Sequence, residues 1–297
     1  MTTNSASSDA AAEATFAEHR KILLGVAYRI VGQVADAEDV VQEAWLRWSA
    51  ADHEDVRDPR AFLVRVTTRL AIDRLRRRKA RREEYVGEWL PEPILTSPDA
   101  ADGVIVAESI SMAMLVVLET LTPLERAVFV LREVFGFSHA EIGEALDRSE
   151  PAARQLAKRA RDHVRERRPR FQADPAARRE VTERFRTAAA TGDLDELMRL
   201  LAPGVDLVAD GGGLVRAPLL PVTGAEKVVR FFGAALGRLE PGQATELVEL
   251  NGGPAIVGRE GDTVFAALVF DVVDGLVERI YLVGNPQKLA RLGRAGA

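Results

Sequence analysis

The stretch that decides the reading is FSHAEIGEALDRSEPAARQLAKRARDHVRER, residues 137–167. Ser138 followed by Glu141 is a capping box, so a helix is predicted to start there. Ile142, Ala145 and Leu146 give that helix an apolar stripe, and Asp147-Arg148 makes a turn. Ser149 then caps a second helix with Pro151 in its first turn. Ala153, Leu156, Ala157, Ala160 and Val164 recur at helical spacing along one side of it, opposite Glu150, Arg154, Gln155, Lys158, Arg161 and Arg165. A short capped helix, a tight turn and a second helix with a polar, basic outer face make a helix-turn-helix. The second helix of such a motif enters the major groove of DNA with its N-terminal half. Arginine and glutamine there pair with guanine or adenine edges, and glutamate accepts from cytosine. Ser149, Glu150, Arg154, Gln155, Lys158 and Arg159 are the candidate readers, with Arg161, Arg165, Arg167 and Arg168 placed for phosphates. The plain alternative is an αα-hairpin with solubilising charges, and the two caps around so short a turn weigh against it.

Charge is distributed, not uniform. The 297 residues sum to −5, yet residues 57–82 carry 11 basic and 2 acidic groups while residues 83–123 carry 0 and 8. Residues 148–170 again hold 9 basic groups against 3 acidic. Two basic segments on an acidic chain point to two phosphate-contacting surfaces.

Working back from the helix-turn-helix, helices continue upstream to near Val104. Residues 83–103, with prolines at 91, 93 and 98, read as an acidic tether. Before it, His19–Val31 has a buried-helix pattern. Asp36 caps a second helix through Val40, Val41, Ala44, Trp45 and Trp48, and Asp58-Pro59 opens a third that runs into the arginine cluster. The first 14 residues read as a disordered tail, with neither the basic start nor the apolar stretch of a signal peptide. Met112–Leu118 is too short to span a bilayer, so a cytoplasmic protein is expected.

Two strings carry a resemblance. DAEDVVQEAWLRW (36–48) with DPRAFLVRVTTRLAIDRLRRR (58–78) resembles region 2 of extracytoplasmic-function (ECF) sigma factors, and residues 121–161 resemble their region 4. The resemblance implies that residues 15–82 form a region 2 helical bundle and residues 104–170 a region 4 domain. It implies promoter DNA and core RNA polymerase as partners: the clamp helices of the largest subunit and the flap of the second. Asp36, Asp39, Gln42 and Glu43 would face the clamp. The loop Ser49–Arg57 would capture a base flipped from the −10 element, and Arg57, Arg60, Arg65, Arg69, Arg74 and Arg76 would contact that DNA. The helix from Glu150 would read the −35 element. Trp45 and Trp48 suit either the core or the polymerase interface. The polymerase supplies the chemistry, so the chain itself needs no catalytic residue.

After a junction at 171–177 the texture changes. Helical stretches at 178–200 and 224–237 flank β-rich runs Val205–Ala209, Ala244–Leu250, Ala255–Gly258, Thr263–Val272 and Leu276–Val283. A meandering antiparallel sheet with helices, an α+β domain over 178–297, is expected. It resembles a SnoaL-like domain (nuclear transport factor 2-like cone), which a subgroup of ECF sigma factors carries. Three strings fit that subgroup: Trp89-Leu90-Pro91-Glu92-Pro93, Asp210-Gly211-Gly212-Gly213, and Asn285-Pro286-Gln287-Lys288-Leu289. There the resemblance implies contact with the sigma core, control of its activity in either direction, and no membrane anti-sigma factor. A cone lined by Phe265, Val269, Phe270 and Tyr281 is either a filled core or a pocket for an unknown small molecule.

Composition closes other routes. The chain has no cysteine, which excludes disulfides, zinc fingers and thiol catalysis. No cofactor or metal is called for. All four histidines (His19, His53, His139, His163) precede the C-terminal domain, so an acid–base pair there would rest on Asp206, Asp210 or Asp271 singly. Two other readings stay open: a helix-turn-helix regulator with a ligand-sensing C-terminal domain, and a SnoaL-like cyclase or isomerase.

Overall fold

A computed structural model describes residues 3–81, 85–96, 110–167, 174–237 and 242–293. The chain divides into two units, one of residues 1–83 with 115–168 and one of residues 84–114 with 169–297.

The first unit is all helix. Its elements are α1 (Thr3–Val31), α2 (Val34–Ser49), α3 (Pro59–Arg81), α4 (Met112–Glu119), α5 (Pro123–Phe129, extended by a π-helical turn Val130–Val134), α6 (His139–Leu146) and α7 (Glu150–Arg167). Helix α1 begins well before His19 and takes in residues expected as a tail. The alanine run Ala10–Ala12 favours helix. The indole of Trp48 donates to the Ala12 carbonyl at 2.9 Å, and Phe16 meets Trp45 edge to face at 5.1 Å. Trp48 is therefore core, packed also against Phe62.

The junction between the N-terminal three helices and the rest of the unit is ionic and buried. Glu119 Oε1 lies 2.7 Å from Arg126 and 3.2 Å from Arg78, with side-chain exposures of 8, 0 and 9%. Arg126 Nε also donates to the Arg29 carbonyl at 2.8 Å, and Lys79 Nζ donates to the carbonyls of Glu119 and Leu121. Gly32 makes room for this cluster. At φ 76° it tolerates a conformation that L-residues avoid, and a Cβ there would stand 3.0 Å from the Glu119 carboxylate.

The second unit is α8 (Pro175–Thr191), α9 (Leu194–Leu200), α10 (Ala225–Leu236), α11 (Pro286–Leu289) and a six-stranded sheet of order β2-β1-β6-β5-β4-β3. The strands are β1 (Leu201–Asp210), β2 (Val222–Thr223), β3 (Gln243–Leu250), β4 (Gly253–Glu260), β5 (Thr263–Val273) and β6 (Leu276–Val283). The sheet is mixed where a wholly antiparallel meander was expected: β1 pairs β6 in parallel. The reason is topological. After α10 the chain lays down β3 to β6 from the far edge inward, and the parity of that four-strand meander brings β6 beside β1 running the same way.

Helices α8 to α10 cover one face of the sheet. Phe185 meets Phe232 at 5.2 Å and Phe270 at 4.9 Å, and Leu207, Ile256 and Ile280 complete a filled core. Val269 and Tyr281 are buried too, but outside that cluster. Helices near Val104, the tether beyond Thr96 and residues 171–173 of the expected junction lie outside the described residues, while Asp174 caps α8 and residues 175–177 form its first turn.

Replacing Glu119 by Ala strands two buried guanidinium groups without their carboxylate, which should cost about 3–5 kcal/mol. Urea unfolding of the variant is expected to show that loss, and an unchanged midpoint would remove the cluster from the account of the fold.

Candidate nucleic-acid and polymerase interfaces

The helix-turn-helix is built from local rules. Ser138 Oγ accepts from the Glu141 amide, and the Glu141 carboxylate accepts from the Ser138 amide at 2.7 Å, which also lowers the pKa of Glu141. A second box, Thr122 with Glu125, starts α5. Asp147 ends α6 in the left-handed region at φ 53°. Ala153, Ala157, Ala160 and Val164 form the buried seam of α7, leaving Glu150, Arg154, Gln155, Lys158, Arg159 and Arg165 exposed. Ser149 Oγ accepts weakly from the Ala152 amide at 3.4 Å. Of the exposed set, Arg154 is paired with Glu150 at 2.5 Å. Arg161 is drawn to Glu133 at 2.8 Å, a hydrogen bond that raises its pKa.

The arginines of α3 have distinct surroundings. Arg57 is exposed in the loop before the helix, Arg65 sits over the Phe62 ring at 5.3 Å, and Arg76 pairs loosely with Asp73 at 3.2 Å. Arg60 stacks over Phe137 at 4.9 Å. Arg69 donates from Nε to the Ala145 carbonyl at 2.9 Å and pairs with Asp147 at 2.7 Å. Arg74 reaches both acids of α2, with Nε on Asp36 at 2.8 Å and NH2 on Asp39 at 2.7 Å, and its bond to Asp36 raises its pKa. Asp39, Gln42 and Glu43, with the exposed Leu46, line an open groove of about 480 Å³ whose floor includes Val40 and Leu70.

In the second unit the three strings come together. Asp210 is fully buried at the end of β1. Its carboxylate accepts from the Tyr85 hydroxyl (2.5 Å), the Leu90 amide (2.8 Å) and Lys288 Nζ (2.5 Å). Lys288 Nζ also donates to the Leu90 carbonyl at 2.6 Å and lies 3.3 Å from the centre of the Trp89 ring. Asn285 donates to the Tyr85 hydroxyl at 2.9 Å while its side chain caps α11. Gly212 lies against that amide at φ 60°, and a Cβ there would collide with Asn285. Pro91 and Pro93 are buried within the same segment, and Leu289 is buried on α11. Downstream, Leu95 bridges Leu250, and Thr96 donates to the Glu249 carbonyl at 2.9 Å. Tyr85, Thr96 and Asn251 were not singled out from sequence. Only the four-residue spacing of Tyr85 and Trp89 in an otherwise polar stretch hinted at a shared anchor.

The candidate acids of this domain are engaged in structure. Asp206 takes Arg279 at 3.2 Å and the Thr223 hydroxyl at 2.7 Å. Asp271 takes the Tyr281 hydroxyl at 2.9 Å, and burial raises the pKa of both. Beside Asp271 and Arg178 lies a cavity of about 30 Å³, room for a single water. Among the described residues no group of acids and histidines could hold a metal, and no helix is long and apolar enough to cross a membrane.

A basic helix-turn-helix joined to a second arginine-bearing helical module, with a helix-backed sheet appended, defines the class: a sigma-type DNA-binding protein carrying an extra domain. Known proteins agree. Residues 15–81 match sigma-70 region 2, and residues 111–164 match sigma-70 region 4. The ECF RNA polymerase sigma factor SigJ of Mycobacterium tuberculosis is 43% identical over 282 residues, covering 91% of this chain and 90% of that one. The probable ECF sigma factor SigI of the same species is 34% identical over 281 residues, covering 93% and 94%. The crystal structure of SigJ superposes with a TM-score of 0.74 at 40% identity, over 92% of this chain and 96% of that one. The chain belongs to the ECF sigma factors, and the SigJ structure matches it through the C-terminal helix-backed sheet as well.

Changing Lys288 to Met leaves Asp210 charged and buried without its cation. The second unit should lose about 3–5 kcal/mol of stability, and the double variant Lys288→Met, Asp210→Leu should recover much of it. Gly212→Ala is expected to destabilise the same unit by more than about 1 kcal/mol. Thermal unfolding followed by scanning calorimetry, which separates the transitions of the two units, reports both.

Proposed function

We propose that this chain recruits core RNA polymerase through the acidic face of α2 and places its two arginine-bearing modules on the −10 and −35 promoter elements. The observation that carries the reading is α7. Its alanine seam is fully buried while Gln155, Lys158 and Arg159 stand exposed along the side a major groove would meet. The groove beside Asp39, Gln42 and Glu43, with Leu46 exposed at 55%, offers an apolar anchor within a rim of mixed charge that also holds Arg47, Arg74 and Arg77, a composition that suits docking of a partner helix. The −10 contacts would come from Arg57, Arg60, Arg65, Arg69 and Arg76, with Arg74 first having to leave Asp36 and Asp39.

The C-terminal domain supplies regulation through its grip on residues 85–96, the segment between the two DNA-binding modules. Asp210, Lys288 and Asn285 hold that segment with charged and aromatic contacts in place of a loose apolar patch, so the hold is specific in register. Binding and positioning account for the role proposed here, and the filled cone is structural support for them.

Run-off transcription from core polymerase and a cognate promoter tests the reading, with wild-type chain expected to start transcription. Asp39→Arg should weaken capture of core polymerase while leaving binding to an upstream-element duplex intact. Lys158→Glu should do the reverse and lower the slope of log affinity against log salt by about one. Normal transcription by both variants rejects the site assignments, and no transcription by the wild type rejects the function.

A further inference from the structure

We propose that Gln155 is the base-reading residue of the helix-turn-helix and that it selects an adenine in the upstream promoter element. The inference rests on the reading above and deepens it, naming one reader among the six candidates of α7 and the base it takes. Burial fixes the rotation of the helix. Ala153, Ala157, Ala160 and Val164 form the buried seam. At about 100° per residue, Gln155 and Lys158 come out on the opposite side, with Pro151 one turn before them and Asp162 one turn after. The flanks between seam and outer line are already engaged. On one, Arg154 pairs with Glu150 at 2.5 Å and Arg161 with Glu133 at 2.8 Å. On the other, His163 lies 3.8 Å from the Glu125 carboxylate, and Arg159 precedes it by one turn. Gln155 and Lys158 are exposed and have no hydrogen bond or ion pair to any other described residue.

Chemistry separates these two. A side-chain amide sets a donor beside an acceptor, the complement of adenine, which shows its N7 acceptor beside its N6 amino group. Guanine shows two acceptors in the same places and satisfies only half of the amide, while cytosine offers a donor alone and thymine an acceptor beside a methyl. Lys158 carries donors only, on a flexible stem, and a phosphate oxygen satisfies it whatever the sequence. Arg154 is the strongest rival as a reader. To reach a base edge it has to give up a carboxylate, whereas Gln155 gives up only water.

Position agrees with chemistry. Gln155 lies in the second turn of α7, within the N-terminal half that enters a major groove. Asp162 stands on the same outward line two turns further on, with its side chain 46% exposed and Arg165 only loosely paired to it at 3.8 Å. A carboxylate there repels phosphates, so the outer face can approach DNA closely only before it. That leaves Pro151, Gln155 and Lys158 at the groove. Proline has no polar side-chain group to read with, and the amide is the one group of the three that distinguishes bases.

Gln155 is exposed, so its replacement leaves the core of the unit alone and base preference can be changed without unfolding the chain. Full-length chain bound to core polymerase is offered a pool of duplexes randomised across both promoter elements, and the bound fraction is sequenced. The wild type should show an upstream position where adenine is preferred over the other bases by about 5- to 150-fold. Gln155→Ala should flatten that position alone. Glutamine carries no charge, so the slope of log affinity against log salt should stay unchanged in this variant. Gln155→Arg should turn the same position to guanine, whose two acceptors match the guanidinium fork. Gln155 variants that select the wild-type sequence overturn the assignment, as does a preference lost at every position together, or a Gln155-dependent position that reads a base other than adenine. In each of those cases the wild-type complex still selects promoters and the transcription function stands. A wild-type complex that selects no upstream sequence removes that function, and the reader with it.

Discussion

A carboxylate taken out of water has to be met by cations or donors, and each unit of this chain is organised around one. Glu119 is 8% exposed and Asp210 is 0% exposed on their side chains. Burying either alone would carry a penalty of several kcal/mol, so each fixes its surroundings tightly. Around Glu119 that means Arg78 and Arg126, and through them the packing of α1, α3, α4 and α5. Around Asp210 it means Lys288, Tyr85 and the backbone of Leu90, and through them the course of residues 85–96. Apolar packing is tolerant of sliding; an arginine pair sharing one oxygen is not. The two carboxylates therefore set the register of segments distant in sequence, such as Lys288 with Leu90 and Arg126 with Arg29.

The arginines show why total charge is a poor guide to DNA contact. Residues 57–82 hold 11 basic groups, but their surroundings differ. Arg74 bridges two aspartates, Arg69 caps α6, and Arg78 is buried on Glu119. Arg57 and Arg76 are exposed. On α7, Arg161 is directed to Glu133, while Gln155, Lys158 and Arg159 stay outward. An arginine cluster marks where phosphate is favoured; the tertiary partners decide which members are ready for it and which must first exchange one bond for another.

What could be read from the chain alone follows the range of the interactions. The caps at Ser138 and Ser149, the alanine seam of α7 and most strand positions are local, so spacing reveals them. Helix α1 starts earlier than its apolar pattern because a carbonyl at Ala12 is claimed by Trp48, a partner 36 residues away. The parallel pairing of β1 with β6 depends on the order in which four later strands are laid down, which no short window contains. Glu119 carries no motif in the sequence, and its role appears only when Arg78 and Arg126 converge on it. The three subgroup strings hold Asp210, Lys288 and Leu90, yet Tyr85, which completes their site, carries no motif of its own.

The segment between the modules is held at Tyr85 and Leu90 by Asp210 and Lys288, and at Thr96 by the Glu249 carbonyl. While those bonds last, the end-to-end distance of residues 85–96 is fixed. Freed and extended, these twelve residues reach about 40 Å at 3.3–3.6 Å per residue. That is on the order of half the separation the two promoter elements require. Under the regulatory role proposed above, a hold on this segment would set how far the modules can part without touching DNA itself. The charged character of the grip matters for that role. A pair that is strong when dry weakens steeply once water reaches it, so release is closer to a switch than to gradual loosening.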